Sequence, residues 1–289
     1  MTRFFSCALI LMALAPLLAP RAAHAAQGYD NCTGFITSVP TVISTQGTWC
    51  LKQDLATAIA SGKAIDIQTN NVTIDCNDFK LGGLAAGPAT AAYGIYASNR
   101  ANATVRNCNI RGFYFGIEFT GASGSGHAIE DNRFDGNTYM GMLIQGDGSV
   151  VRRNRVFDSG DSTTTNSAYG IYTQGAVDVL DNTVTGVTAH SGDNGSAVGI
   201  QTETASSRRI AGNGVSGLVS DGTGHAYGIL NAGSDRLTLR DNDLVGNKDG
   251  ASEGMRCTNG NGRALDNTIS GFTVAIVLCN DSGGNALIP

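Results

Sequence analysis

Aspartates and histidines recur in successive glycine-rich segments in the second half of the chain. Carboxylates that converge raise one another's pKa, and one of them can then act as an acid or base, with a histidine as proton carrier. Carboxylate oxygens are also the ligands that Ca²⁺ prefers, so a Ca²⁺ site is the other chemistry these residues support. Aspartate beside glycine is equally common in simple turns, and this structural explanation stays open. The candidate acid–base residues are Asp161, His190, Asp193, Asp221 and His225.

A second group of candidates follows a repeated phrase: an aromatic or apolar residue, Gly, and then Ile or Met. Tyr93–Tyr96 and Tyr169–Tyr172 are two of its copies. Because side chains alternate along a strand, we expect the Ile to point inward, and the Gly and the residue after the Ile to point outward. Tyrosine rings stack on sugar faces, and amides and carboxylates bond to hydroxyl groups, which predicts binding of an extended polysaccharide. A plain solvated sheet face is the alternative, because Tyr favours strands. The proposed binding residues are Tyr96, Glu118, Tyr172, Gln174, Gln201, Glu203 and Arg256.

The frame that must position both groups is a second repeated phrase: an aliphatic residue, two polar residues, Asn, one further residue and another apolar residue. Its copies are 22–31 residues apart, and in one of them Cys108 replaces the Asn. Eight copies at this period indicate a solenoid. A turn that faces inward leaves backbone amides without water, and a stacked carboxamide supplies both a donor and an acceptor. We therefore expect a structural stack of Asn77, Asn132, Asn154, Asn182, Asn213, Asn242 and Asn267.

The N-terminal residues 1–25 have the features of a signal peptide. A basic residue precedes the apolar run Phe4–Leu18, and small residues flank His24 at the expected cleavage site. Without this segment the chain has 17 basic and 24 acidic residues and no basic stripe, so nucleic acid is not an expected partner. No later stretch is long and apolar enough to span a membrane. We expect a secreted or periplasmic protein.

Between the signal segment and the repeats, residues 26–63 are predicted to form a disulfide-closed loop and a short capping helix. Leu51, Leu55 and Ile59 recur every four residues, which is typical of an amphipathic helix. Solenoids need atypical terminal units to cover their open apolar ends. Residues 64–289 are predicted to form the repeat array.

Six cysteines remain after removal of the signal segment, and an even number in an exported protein favours disulfides. Their spacing does not match that of a zinc site. Their positions in the repeats favour the pairs Cys32–Cys50, Cys76–Cys108 and Cys257–Cys279.

Short strands, Asn-containing tight turns and variable loops resemble the pectin-lyase-like superfamily. The resemblance implies an all-β fold, a single-stranded right-handed parallel β-helix of about eight coils. It does not imply one activity, because the superfamily includes lyases, hydrolases, esterases and non-enzymatic proteins. Its enzyme motifs do not carry over: the chain has no Asp-Asp pair, and Gly126-His127-Ala128 and Gly224-His225-Ala226 lack a closing Gly.

Three functions stay open at this stage. The first is a non-catalytic polysaccharide-binding protein, the second a polysaccharide lyase or glycoside hydrolase that uses the acidic loops, and the third a purely structural rod. No cofactor is indicated beyond the possible Ca²⁺.

Overall fold

The computed structural model describes residues 29–203, 208–233, 236–248 and 250–288, so the predicted signal peptide lies outside the described residues. The described chain consists almost entirely of short strands. One turn of 3₁₀-helix, Leu84–Ala86, is the only helical segment among these residues. The described residues contain no helix of the length and hydrophobicity that a membrane crossing requires.

Thirty-one strands follow one another along the described chain. In chain order they are β1 (Gly34–Ile36), β2 (Thr41–Ile43), β3 (Gly47–Leu51), β4 (Leu55–Ala56), β5 (Ser61–Ile67), β6 (Val72–Asp75), β7 (Lys80–Gly82), β8 (Ala91–Ser98), β9 (Ala103–Arg106), β10 (Asn109–Arg111), β11 (Phe115–Thr120), β12 (Ala128–Glu130), β13 (Arg133–Asp135), β14 (Met140–Gln145), β15 (Ser149–Arg152), β16 (Arg155–Gly160), β17 (Ala168–Gln174), β18 (Val177–Leu180), β19 (Thr183–Thr188), β20 (Ala197–Glu203), β21 (Arg208–Ala211), β22 (Gly214–Val219), β23 (His225–Asn231), β24 (Leu237–Arg240), β25 (Asp243–Val245), β26 (Ala251–Cys257), β27 (Gly262–Leu265), β28 (Thr268–Ser270), β29 (Val274–Val277), β30 (Asn280–Asp281) and β31 (Ala286–Ile288).

The strands form three parallel sheets, and each strand pairs with the corresponding strand of the coil before and the coil after it. Sheet I has 11 strands and runs from β1 through β3 and β6 to β30, sheet II has 10 and runs from β4 through β7 to β31, and sheet III has 10 and runs from β2 through β5 to β29. Each complete coil visits sheets I, II and III in that order. Nine complete coils, from β3–β4–β5 to β27–β28–β29, make up the parallel β-helix.

The all-β parallel β-helix is confirmed, whereas the predicted N-terminal capping helix is wrong. Leu51 ends β3 and Leu55 begins β4, and both point into the core with at most 6% exposure. Their spacing of four residues arises because the chain turns a corner between two strands, which brings both side chains to the interior. This segment belongs to an additional first coil, so the structure has nine coils where the sequence predicted about eight.

The core is a set of columns in which one apolar side chain of each coil stacks on the next. In sheet III the column contains Ile95, Ile117, Met142 and Ile171, all fully buried. Burial of each such side chain stabilises the fold by about 1.5–3 kcal/mol. The column also fixes the register, because a slip of one residue would turn the whole set outward.

The asparagines at the turn between sheets I and II form a continuous hydrogen-bonded ladder. The Nδ2 of Asn154 donates to Oδ1 of Asn182 at 3.0 Å and to the carbonyl oxygen of Ile129 at 2.8 Å. The backbone N–H of Asn154 donates to the same Oδ1 at 2.9 Å. The pattern extends from Asn132 to Asn267 and ends on Asn285, which the sequence analysis did not include.

Asn77 lies outside this ladder. Asp75 pairs with Arg106 of the next coil, and Lys80 pairs with Asn109. The turn from residue 75 to residue 80 is therefore two residues longer than the corresponding turn from residue 106 to residue 109. The longer turn gives Asn77 a left-handed conformation with φ 47°, and its Nδ2 donates to the carbonyl oxygen of Leu51.

The structure contains the disulfides Cys32–Cys50, Cys76–Cys108 and Cys257–Cys279. Cys76 and Cys108 join neighbouring coils beside the Asn ladder, where the backbone N–H of Cys108 donates to Oδ1 of Asn132. Cys257 and Cys279 tie the end of β26 to the segment between β29 and β30. The covalent links therefore lie towards the two ends of the helix.

Candidate functional site

The glycine of the repeated phrase faces the interior of sheet III, which corrects the predicted outward orientation. A Cβ atom on Gly94 would overlap the carbonyl oxygen of Gly116, and one on Gly116 would overlap that of Gly141. The chain packs so closely here that no side chain fits. As a result, the aromatic residue before each glycine turns to the outer face, where it joins the predicted outward column.

Seven aromatic residues form a strip on the outer side of sheet III across coils 2 to 5. Tyr93 stacks on Phe115 with ring centres 5.4 Å apart, Tyr114 stacks on Tyr139 at 4.8 Å, and the ring of Tyr139 lies edge-on to Tyr169 at 5.7 Å. Further ring contacts link the remaining members into one continuous set. This aromatic strip consists of Tyr93, Tyr96, Tyr114, Phe115, Tyr139, Tyr169 and Tyr172.

Of this strip, the sequence pattern predicted only Tyr96 and Tyr172. Three of the other members precede the glycine of the phrase, a position that the simple alternation assigned to the interior, and Tyr114 and Tyr139 lie at the ends of short loops. The signal that would have found the first three is an aromatic residue before the glycine in three of four successive copies. It is visible at Tyr93, Phe115 and Tyr169.

Polar side chains join the aromatic strip at its C-terminal end. The Nε2 atom of Gln174 donates to the Tyr172 hydroxyl at 3.1 Å and to Glu203 at 3.2 Å. Gln201 donates to the other oxygen of Glu203 at 3.3 Å. Burial, assisted by the adjacent Glu203 carboxylate, raises the pKa of Tyr172 to about 12. The structure thus brings four of the predicted binding residues into one hydrogen-bonded group.

Glu118 lies at the other end of the strip, between Tyr96 and Leu143 in the register of sheet III. Burial raises the pKa of its carboxyl group, and the nearby positive charge of Lys63 opposes this shift. The ammonium group of Lys63 lies 3.9 Å from the centre of the Tyr96 ring and 3.3 Å from the Asp66 carboxylate.

Arg256, the last predicted binding residue, lies three coils beyond Tyr172 in the same register column. Both Glu253 oxygens accept hydrogen bonds from its Nη1 atom, at 2.8 and 3.0 Å. Arg256 is therefore separated from the aromatic strip and already has an anionic partner.

The loops between sheets II and III form one side of the strip. The backbone N–H of Thr163 reaches the carbonyl oxygen of Pro88, at 3.4 Å, although the two residues belong to coils 5 and 2. The side chains of Thr164 and Thr165 lie close to the Tyr114 hydroxyl, where they oppose the rise of its pKa that burial causes. The loop at 161–167 thus bridges the short turns of coils 3 and 4 and borders the aromatic strip.

The structure divides the five predicted acid–base residues. Nδ1 of His190 lies 3.4 Å from Oδ1 of Asp161, and its Nε2 lies 3.9 Å from Oδ2 of Asp193. The side chains of Asp161 and Asp193 are 75% and 51% exposed, so water screens these contacts.

The other two candidates have different surroundings. Oδ2 of Asp221 accepts the backbone N–H groups of Gly192 and Asn194, at 2.8 and 3.1 Å, and holds the neighbouring loop. His225 stacks on Tyr227 with ring centres 5.4 Å apart. In the described residues no group of three or more His, Cys, Asp or Glu side chains is arranged to hold a metal ion.

Three parallel sheets, a ladder of asparagines and an aromatic strip on one outer face define a protein of the parallel β-helix class. The family model described as periplasmic copper-binding protein (NosD) matches residues 36–217, and the chain belongs to this family. No curated protein matches the chain in sequence.

Three solved structures illustrate the breadth of the fold likeness. The A-module of mannuronan C-5 epimerase AlgE6 from Azotobacter vinelandii is 12% identical, with 86% of this chain and 88% of that chain covered and a TM-score of 0.44. The catalytic unit of a GH87 α-1,3-glucanase from Streptomyces thermodiastaticus strain HF3-3 is 12% identical, with coverages of 87% and 61% and a TM-score of 0.49. The Dettilon tailspike protein is 14% identical, with coverages of 88% and 60% and a TM-score of 0.43.

The described residues do not fit the copper site that the family description implies. Copper in such sites is bound by thiolate, thioether or imidazole groups. All six described cysteines are in disulfides, and the three described methionines are core residues with at most 2% exposure. Of the three described histidines, His127 is buried, its Nδ1 accepts the N–H of Ala103, and desolvation lowers its pKa to about 4. His190 and His225 belong to no group of three or more His, Cys, Asp or Glu side chains that could hold a metal ion among the described residues. We therefore derive no copper chemistry for this chain.

Proposed function

We propose that this protein is exported and binds an extended polysaccharide along the aromatic strip, without acting on it chemically. The observation that carries this proposal is the continuous series of ring contacts from Tyr96 to Tyr172 across four coils. Aromatic rings that remain partly exposed present large apolar faces, and these faces pack well on the C–H faces of sugar rings.

The dimensions and the polar border of the strip support the same function. Four strands at about 4.8 Å spacing extend over about 14 Å, and coil 6 adds a further spacing. The amide of Gln174 and the exposed carboxylate of Glu203 lie at one end, where they are placed to bond to sugar hydroxyls, and the buried Gln201 donates to Glu203. The loop at 161–167 borders the strip and would orient a chain along the helix axis.

Export is supported by three features. The first residues have the composition of a signal peptide, the fold has three disulfides, and the family is described as periplasmic. Disulfides of this kind persist in oxidising compartments. Localisation of the full-length chain, followed by N-terminal sequencing of the mature protein, tests this part of the proposal.

The binding proposal is tested with a Tyr96→Ala/Tyr172→Ala double variant and a panel of soluble polysaccharides in affinity electrophoresis. We expect the variant to lose most of the retardation that the wild-type protein shows with its ligand. The matched control is Phe157→Ala, which removes an aromatic ring from the outer face of sheet II. Equal retardation of the double variant and the wild-type protein would contradict the proposal, and no retardation with any polymer would favour a purely structural rod.

A second candidate function, a polysaccharide lyase or glycoside hydrolase, is favoured by the position of His190 between two carboxylates. The loop that carries Asp161 also borders the aromatic strip. The test is release of unsaturated products or reducing ends from each bound polymer, with and without Ca²⁺, by the wild-type protein and a His190→Gln variant. Product formation that depends on His190 supports this candidate, and its absence with every bound polymer removes it.

A further inference from the structure

The charged side chains on the outer face of sheet III give the aromatic strip a negative balance. Six residues on the described strands of sheet III are Asp, Glu, Lys or Arg, four of them acidic and two basic. They are Lys63, Asp66, Glu118, Glu203, Glu253 and Arg256. A protein face with a negative electrostatic potential repels anionic ligands and attracts cationic ones.

Each of the two cations already has a carboxylate partner on its own strand. Lys63 lies 3.3 Å from Asp66, and Arg256 lies 2.8 Å from Glu253. An acidic sugar would have to displace these partners before it could bond to either cation. The strip therefore lacks a free positive group for a polyuronate among the described residues.

Glu118 is the one carboxylate of this set without a hydrogen-bonded partner among the described residues. Glu203 accepts from Gln174 and Gln201. Lys63, in contrast, acts on Glu118 only as a nearby charge. Glu118 is half-buried beside Tyr96, and no donor among the described residues hydrogen-bonds to its side chain. A carboxylate in this setting is incompletely compensated, and an incoming donor or cation would restore the hydrogen bonds that burial has removed.

The rings next to Glu118 already accommodate an ammonium ion. The Lys63 ammonium lies 3.9 Å from the centre of the Tyr96 ring, a cation–π contact. Tyr93 and Phe115 extend the same aromatic surface by a ring stack. Aromatic faces combined with a carboxylate make a surface that is suited to a protonated amine.

We propose that the polysaccharide bound on the aromatic strip is an amino-sugar polymer with protonated amines, and that Glu118 binds one of these amines. This inference rests on the proposed polysaccharide binding and adds the chemical class of the ligand. We therefore expect affinity to decrease from amino-sugar polymers to neutral polymers, and from neutral polymers to polyuronates.

The test compares hexasaccharides of glucosamine, N-acetylglucosamine and galacturonic acid by calorimetry, at low salt and at about pH 6, which lies above the ordinary carboxyl range and below that of amines. We expect the glucosamine oligomer to bind most tightly. Glu118→Gln should weaken its binding about five-fold, as charge-pair losses at partly exposed sites do, and should leave binding of the N-acetylated oligomer within about two-fold. The control is Asp243→Asn, the same change of net charge on sheet II.

The outcomes separate this inference from the proposed function. Equal or tighter binding of the N-acetylated or galacturonic acid oligomers, or no effect of Glu118→Gln on the glucosamine oligomer, overturns the amino-sugar inference. Polysaccharide binding stands in that case if it still depends on Tyr96 and Tyr172. Thermal unfolding of each variant shows whether the fold is intact, and Glu118→Asp, which keeps the charge, should restore part of the lost affinity.

Discussion

Asn154 and Asn182 share one oxygen atom for two hydrogen bonds. Oδ1 of Asn182 accepts both the backbone N–H and the Nδ2 of Asn154, at 2.9 and 3.0 Å, in a turn that water does not reach. One carboxamide therefore satisfies the backbone of its neighbour and orients the neighbouring side chain. The tight turn depends on this relationship in every coil of the ladder.

Asn182→Ala should destabilise the fold by about 3 kcal/mol, because the buried backbone N–H and side chain of Asn154 lose their acceptor. Urea unfolding followed by circular dichroism measures the change. Asn109→Ala is the matched control, since that amide lies on the exposed side of sheet II. A loss below about 1 kcal/mol for Asn182→Ala would show that water enters the turn.

Gly170→Ala should lower stability by about 2–3 kcal/mol, because the added methyl group overlaps Val184 and the carbonyl oxygen of Gly199. Gly214→Ala is the matched control. Its Cβ atom would meet no heavy atom within 4 Å, so this change should be neutral or stabilising by about 0.5 kcal/mol. Equal unfolding midpoints for the two variants would contradict the tight packing of the glycine column.

The pKa of Glu118 makes its contribution to stability depend on pH. Its folded-state pKa is raised by burial, so its contribution is fully present below the ordinary carboxyl range and is lost as the pH rises through the raised value. Lys63 and Asp66 on β5, and Tyr93, Tyr96 and Tyr114 beside it, are the ionisable groups around it.

Glu118→Gln removes this titration. We therefore expect the Tm of the variant to rise relative to that of the wild-type protein as the pH increases from about 4 to about 7. Scanning calorimetry at several pH values measures the difference. A constant difference at all pH values would mean that the Lys63 charge fully offsets the burial of the carboxylate.

A Cys257→Ser/Cys279→Ser variant should lose about 3 kcal/mol, because the unfolded chain gains the freedom of a loop of 22 residues. The loss should be local, since each coil of a solenoid contacts only its neighbours. Limited proteolysis should cut the variant in the last strands, β29 to β31, before the rest of the chain. Uniform cleavage along the chain would contradict independent unfolding of this end.

The parallel β-helix was predictable from the sequence because each repeat of the sequence pattern corresponds to one coil of the helix. Most coils repeat an inward aliphatic residue and an Asn turn, and this combination at a period of 22–31 residues is typical of a solenoid. The capping-helix error arose where one corner of a coil has the spacing of a helix. Leu51 and Leu55 have helical spacing, yet they lie on consecutive strands that both face the core.

The aromatic strip was only partly predictable for a related reason. The close approach of the glycine column reverses the alternation that a regular strand would have, so Tyr93 and Phe115 emerge on the outer face. The contact between Thr163 and Pro88 joins coils 75 residues apart in the chain, and no local pattern indicates which loop crosses which turn. Such contacts depend on the loop path and not on the repeat.

The Asn ladder also has a direction. In the bonds between carboxamides, each Nδ2 donates to the Oδ1 of the next coil towards the C-terminus, and its second bond goes to a backbone carbonyl of the preceding coil. The bonding at every rung is therefore related to the next by a simple translation along the axis. A molecule built in this way can grow or shrink by whole coils without a new kind of contact. The number of coils can therefore change without altering the contacts between them. Each added or removed coil changes the length of the outer face that is available to a bound polymer by one strand spacing.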